Sequence, residues 1–118
     1  MWLLALAGLL ARALQSTDIG DAVPPSTSQP IYYRTRDGRA DYEFSIERQS
    51  DGTYTSFIVS QPDYGSRSTG AHDTHRLSTR DRHYVCWDRP LRSEEEAKSV
   101  AALWADATQE YIRTGRRF

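Results

Sequence analysis

An α+β domain is predicted over residues 29–118: a four- or five-stranded antiparallel meander sheet with one long C-terminal helix packed on one face. Two observations carry the prediction. Residues 31–60 alternate apolar and polar side chains around two Asp-Gly pairs, the pattern of half-buried strands joined by tight hairpins. Residues 93–114 repeat their apolar side chains at helical spacing instead, behind a capping signal and ahead of a glycine.

Strands are expected over 31–36, 40–48 and 53–60, parted by Asp37-Gly38 and Asp51-Gly52. Asp-Gly suits a two-residue hairpin loop because both central positions need positive φ. Such a loop at Asp37-Gly38 sets Tyr33 opposite Tyr42 and Ile31 opposite Phe44. The same loop at Asp51-Gly52 sets Phe44 opposite Val59 and Ile46 opposite Phe57. All these residues then share one face, and a one-residue slip in either hairpin would mix polar and apolar faces. The other face carries Tyr32, Arg34, Arg36, Asp41, Glu43, Ser45, Glu47, Tyr54, Ser56 and Ile58, with Arg34 opposite Asp41 and Tyr32 opposite Glu43.

Residues 61–74 have no period and two glycines, and a loop of that length in a small domain is expected to be functional or mobile. A short strand over 75–78 pairs with one over 82–87, where His83, Val85 and Trp87 share a face and Tyr84 and Cys86 the other. Pro90 keeps the preceding residue out of the helical region. Ser93-Glu94-Glu95-Glu96 then forms a capping box, with Glu96 reaching back to the Ser93 amide. The helix runs to about Thr114, where Gly115 suits a left-handed cap. Its apolar stripe holds Ala97, Val100, Ala101, Trp104, Ala107, Thr108 and Tyr111, and its solvent side Glu95, Lys98, Asp106 and Gln109. Val85 and Trp87 are expected to join Trp104 in the core.

Net charge is −1 and charged residues make up 26%, which gives no general reason to expect a polyanionic partner. Of fifteen basic residues only Lys98 is a lysine, a bias of composition that discounts arginine abundance as a phosphate signal. One cysteine, Cys86, excludes an internal disulfide framework and reads as a packed thiol. Residues 1–15 are almost wholly apolar but too short to span a bilayer. They read as a signal peptide cut near Ala11-Arg12-Ala13, as an accessory helix, or as an upstream extension. A cytoplasmic location is expected, and a secreted or periplasmic one if residues 1–13 are removed. Residues 16–28 read as a Ser/Thr/Pro linker.

The chemistry-bearing residues cluster late. His72, His75 and His83 precede Cys86, but the spacing matches no standard zinc site, and strand alternation points His83 and Cys86 apart. No metal or other cofactor is expected. No Gly-x-Ser-x-Gly, His-Glu-x-x-His or phosphate-binding glycine loop occurs. The leading expectation is a non-enzymatic module holding an unidentified protein partner through Tyr32, Arg34, Tyr54, Ile58, Tyr64 and Arg67. The alternative is an RNA-cleaving enzyme, with His72, His75 and His83 as acid–base groups and Tyr64, Arg67 and Arg76 holding a phosphate. The order of three meander strands, a further strand and a capped helix is similar to that of HicB-type antitoxins and integrase arm-binding domains. That resemblance rests on element order without a shared motif. It implies a second alternative, a nucleic-acid-binding regulator, against which the acidic Glu43 and Glu47 count.

Overall fold

A computed structural model describes residues 30–118; the apolar segment 1–15 and the linker 16–28 lie outside the described residues. Five strands form one antiparallel sheet in the order β1-β2-β3-β5-β4: β1 Pro30–Arg34, β2 Asp41–Arg48, β3 Tyr54–Ser60, β4 Arg76–Thr79 and β5 Arg82–Val85. A four-residue helix, α1 (Ala71–Thr74), precedes β4, and the long helix α2 (Glu94–Thr114) covers one sheet face.

The first hairpin keeps its predicted register. Ile31 pairs with Phe44, Tyr33 with Tyr42 and Arg34 with Asp41. Its loop is wider than expected, four residues over 36–39, because Thr35 N–H already closes on Ala40 O at 2.9 Å. Opening equal numbers of residues on both strands leaves the register unchanged. Asp37 fastens the turn by accepting from Thr35 Oγ1 (2.6 Å) and Arg39 N–H (3.0 Å).

The second hairpin slips by one residue, which corrects the two-residue loop. Gln49 N–H donates to Thr53 O (2.7 Å) and Gly52 N–H to Gln49 O (3.0 Å), so the loop is Ser50-Asp51-Gly52. Gly52, at φ 87°, supplies the left-handed residue that a three-residue hairpin requires. Phe44 therefore faces Ile58, Ile46 faces Ser56, and Phe57 falls opposite Ser45. Val59 is left unpaired as a bulge before Ser60 meets Glu43, and it is 54% exposed rather than in the core. Ser56 takes the core-facing place. Its small, fully buried side chain lets α2 approach, and its hydroxyl donates to Ala97 O at 2.9 Å, so the buried polar group is satisfied.

The β4–β5 hairpin enters with β5 beside β3: Phe57 pairs with Tyr84 and Ile58 with His83, while β4 forms the far edge. The chain leaving β3 must therefore pass β5 before β4 can begin, which accounts for the length of the 61–75 segment. That segment is fixed to α2. Tyr64 packs edge-on to Tyr111 (6.1 Å), Tyr111 Oη donates to Ser68 O (2.8 Å), and the Trp104 indole N–H donates to Thr74 O (2.9 Å). Arg67 donates to Ile112 O (3.2 Å) and Arg113 O (3.3 Å), satisfying the last carbonyls of α2.

The ends of α2 are as predicted: Ser93 Oγ accepts from Glu96 N–H (3.0 Å), and Gly115, at φ 83°, returns its N–H to Tyr111 O (2.7 Å). A Cβ on Gly115 would meet only the mobile end of the Arg67 side chain, so it is the positive φ of this turn that calls for glycine. Glu96 reaches back one residue further than expected, accepting from Arg92 N–H (2.9 Å) and pairing with Arg89.

The core centres on Tyr42 and Phe44, both fully buried, with Trp104 edge-on to each at 5.9 and 6.1 Å. Tyr33 Oη and Arg36 N–H both donate to Asp106 at 2.8 Å, tying the first hairpin to α2; burial and that hydrogen bond push the Tyr33 phenol up to about 12. Two further expectations are corrected. Trp87 is 38% exposed because β5 ends at Val85, and Leu91 fills the core beside β3 instead, accepting from Tyr54 N–H at 2.8 Å. Lys98 is buried rather than solvent-facing, a charge made tolerable by Glu94 (3.6 Å) and Glu95 (3.9 Å).

Candidate binding face

The slipped register decides what the sheet presents on the side away from α2. Pairing puts Tyr32 and Arg34 of β1, Asp41, Glu43, Ser45 and Glu47 of β2, Phe57 of β3, and Arg82 and Tyr84 of β5 on that open face. Phe57 would be costly to leave in water, yet it is only 8% exposed although α2 lies on the opposite side. Two contacts cover it. Tyr84, its cross-strand neighbour, meets it edge-on at 6.0 Å. Arg82 reaches over β3 and lays its guanidinium 3.6 Å above the ring centroid.

The far end of that guanidinium is held by Glu47 of β2 through two hydrogen bonds of 3.2 and 2.6 Å. Ser45 Oγ adds a third to the same carboxylate at 2.8 Å. The result is a strap from β5 across β3 to β2. The Arg82 hydrogen bonds hold the Glu47 carboxyl below the usual glutamate range; Ser45 assists, and burial opposes. A depressed carboxyl stabilises the folded state above the ordinary glutamate pKa, and that support is lost as pH falls through the depressed value. Both partners are part-exposed, so the pair is screened and the ring stacking carries much of the contact.

Further along the face, Tyr32 is 61% exposed and Arg34 pairs with Asp41 at 2.9 Å. Glu43, directly opposite Tyr32, has no ion-pair or hydrogen-bond partner through its side chain among the described residues. The face carries three carboxylates (Asp41, Glu43, Glu47) against two guanidiniums (Arg34, Arg82).

The predicted site residues are divided by the fold. Tyr32 and Arg34 lie on the open face as expected. Tyr54 and Ile58 do not: the one-residue slip turns both toward α2, where they pack against the core. Tyr64 is buried beneath the loop, and Arg67 caps α2. The three histidines have separate surroundings. His72 is exposed on α1. His75 takes a left-handed conformation at the end of α1 and meets Phe118 through its ring and Nε2. His83 faces the α2 side of β5, with Nδ1 3.0 Å from Ser78 Oγ. Among the described residues no group of three or more His, Cys, Asp or Glu is placed to hold a metal ion, and no helix is long and apolar enough to cross a membrane.

Sequence reading missed Phe57, Arg82 and Tyr84 as a unit. The available signal was the run Phe57-Ile58-Val59, which is apolar at three consecutive positions and so fits either face. Searches against protein-family models, curated proteins and solved structures found no match to this chain.

Proposed function

We propose that this domain is a non-enzymatic docking module that takes an extended protein segment across the open sheet face. The observation behind this reading is the Phe57–Arg82–Tyr84 platform, an aromatic cluster on a face that no described helix covers. The segment best suited to it pairs an aromatic residue with a basic one two positions away, since alternate residues of an extended chain share a face. The aromatic ring would stack on Arg82, and the basic group would meet Glu43. The excess of carboxylates on this face supports a protein rather than a nucleic acid, whose phosphates it would repel.

Selection of extended peptides from a phage-displayed library against the full chain tests this. The enriched sequences are expected to combine aromatic and basic residues at that spacing, and retention should fall at least about tenfold with Glu43→Lys. Glu43 supports no described side-chain contact, so this change leaves the fold alone. Absence of enrichment, or peptides indifferent to Glu43→Lys, would remove the proposal.

A further inference from the structure

The 61–75 segment meets α2 along a seam through Trp104 and Tyr111, and the β1–β2 loop meets the helix on another side, through Asp106. Between that loop and the last turns of α2 lies a cleft of about 350 Å³, lined by Thr35, Arg36, Asp37, Asp106, Glu110 and Arg113. A volume of that order suits a small ligand. The helix residues belong together by spacing. Asp106, Glu110 and Arg113 share one strip of α2, with Arg113 about 10 Å beyond Asp106 along the axis. Helical side chains lean toward the N-terminus, so Arg113 leans back along the cleft. Asp106 Oδ1 accepts from Arg36 N–H at 2.8 Å, which fixes the backbone of Arg36 at the facing wall.

The charges in this cleft are unequally matched. Each carboxylate has partners: Asp106 accepts from Tyr33 Oη and Arg36 N–H, Asp37 from Thr35 Oγ1 and Arg39 N–H, and Glu110 pairs with Arg116 at 3.6 Å. The Thr35 hydroxyl and the Arg39 amide hold the Asp37 carboxyl below the usual aspartate range, and the Arg113 charge adds to this through space. Neither guanidinium is matched in turn. Arg36 and Arg113 are exposed, and their side chains make no hydrogen bond or ion pair among the described residues.

Those unmatched donors set the ligand chemistry. Each guanidinium is a planar fork for two oxygens of one oxyanion. Two forks match the double charge and three terminal oxygens of a phosphate monoester, whereas a single carboxylate would occupy only one. A phosphate fills only part of the cleft. The remainder is bordered by Asp37, Asp106 and Glu110, whose spare lone pairs accept from hydroxyl groups and repel a second anion. We propose that this cleft binds a small phosphorylated polyol of the sugar phosphate class. Arg36 and Arg113 clamp its phosphate, and the carboxylates take its hydroxyls. The site is apart from the open sheet face and independent of the docking reading.

The test is an NMR titration of the full chain with glycerol, ribose and glucose, each phosphorylated on a primary hydroxyl, beside inorganic phosphate and plain ribose at constant ionic strength. At least one phosphorylated polyol should saturate, shift the amides of residues 35–37 and 106–113, and bind more tightly than inorganic phosphate. Plain ribose should do nothing. Arg36→Gln and Arg113→Gln should each weaken that ligand at least about tenfold, while Arg39→Gln, on the same loop but outside the cleft, should leave it unchanged. All three arginines are exposed, so these variants keep the fold. Inorganic phosphate binding as tightly as every phosphorylated polyol would mean an adventitious ion only. No saturation by any probe, or equal losses from all three substitutions, would mean surface charge without a site. Each of these results overturns the proposal.

Discussion

Replacing Trp104 with alanine is expected to lower the unfolding free energy by about 4 kcal/mol, a large part of what a domain of this size has. The indole is buried, stands edge-on to both Tyr42 and Phe44, and gives its N–H to Thr74 O across the seam. Alanine therefore leaves a cavity between two fully buried rings and a carbonyl without its donor. Urea unfolding followed by circular dichroism measures the loss. Amide exchange should show the 61–75 segment opening earlier than the β1–β2 hairpin, because the seam loses one of its fixed bonds. A loss below about 1.5 kcal/mol, in the range of a conservative core change, would contradict the packing described.

Phe57→Ala is expected to cost about 3 kcal/mol, while Val59→Asp should stay within about 0.5 kcal/mol. Phe57 is enclosed by Tyr84 and the Arg82 strap, whereas Val59 is a bulge residue in contact with solvent. The comparison tests the hairpin register directly. In the register of a two-residue Asp51-Gly52 loop, Val59 would face Phe44 in the core, and an aspartate there would unfold the protein. Paired thermal melts of the two variants distinguish the registers.

Where local chemistry decides structure, the chain could be read closely. Ser93, Gly115 and the first hairpin act within a few residues of themselves: both helix caps form, and the hairpin keeps its expected register around a wider loop. The stripe from Ala97 to Tyr111 pointed to the covered face of α2, with Trp104 at its centre, but Ala105 is buried there where Ala107 was expected. The second hairpin resisted reading for a physical reason. Phe57-Ile58-Val59 has no polar residue to fix its phase, and Gly52 can serve as the second residue of a two-residue loop or the third of a three-residue loop. The outcome turned on Ser56, whose small size and bond to Ala97 O suit the approach of α2, a tertiary contact with no local signature. Sheet order was hidden likewise. Nothing near residues 76–85 says that β5 pairs with β3, yet that pairing carries Arg82 over Phe57 and sets the length of the 61–75 segment. Tyr32 and Arg34 lie on the open face as expected because β1 follows from the first hairpin. Tyr54 and Ile58 were misplaced by the same slip that created the Phe57 platform.

Protein docking at the open face is tested most directly inside the native host, with a photoreactive phenylalanine analogue placed at Tyr32 or, as a control, at Leu103. Both positions are well exposed, the first on the open face and the second on α2. Docking at the open face predicts a discrete protein adduct from position 32 that is absent from position 103 and weakened by Glu43→Lys. Equal adducts from both positions, or an adduct that nuclease treatment destroys, would contradict it.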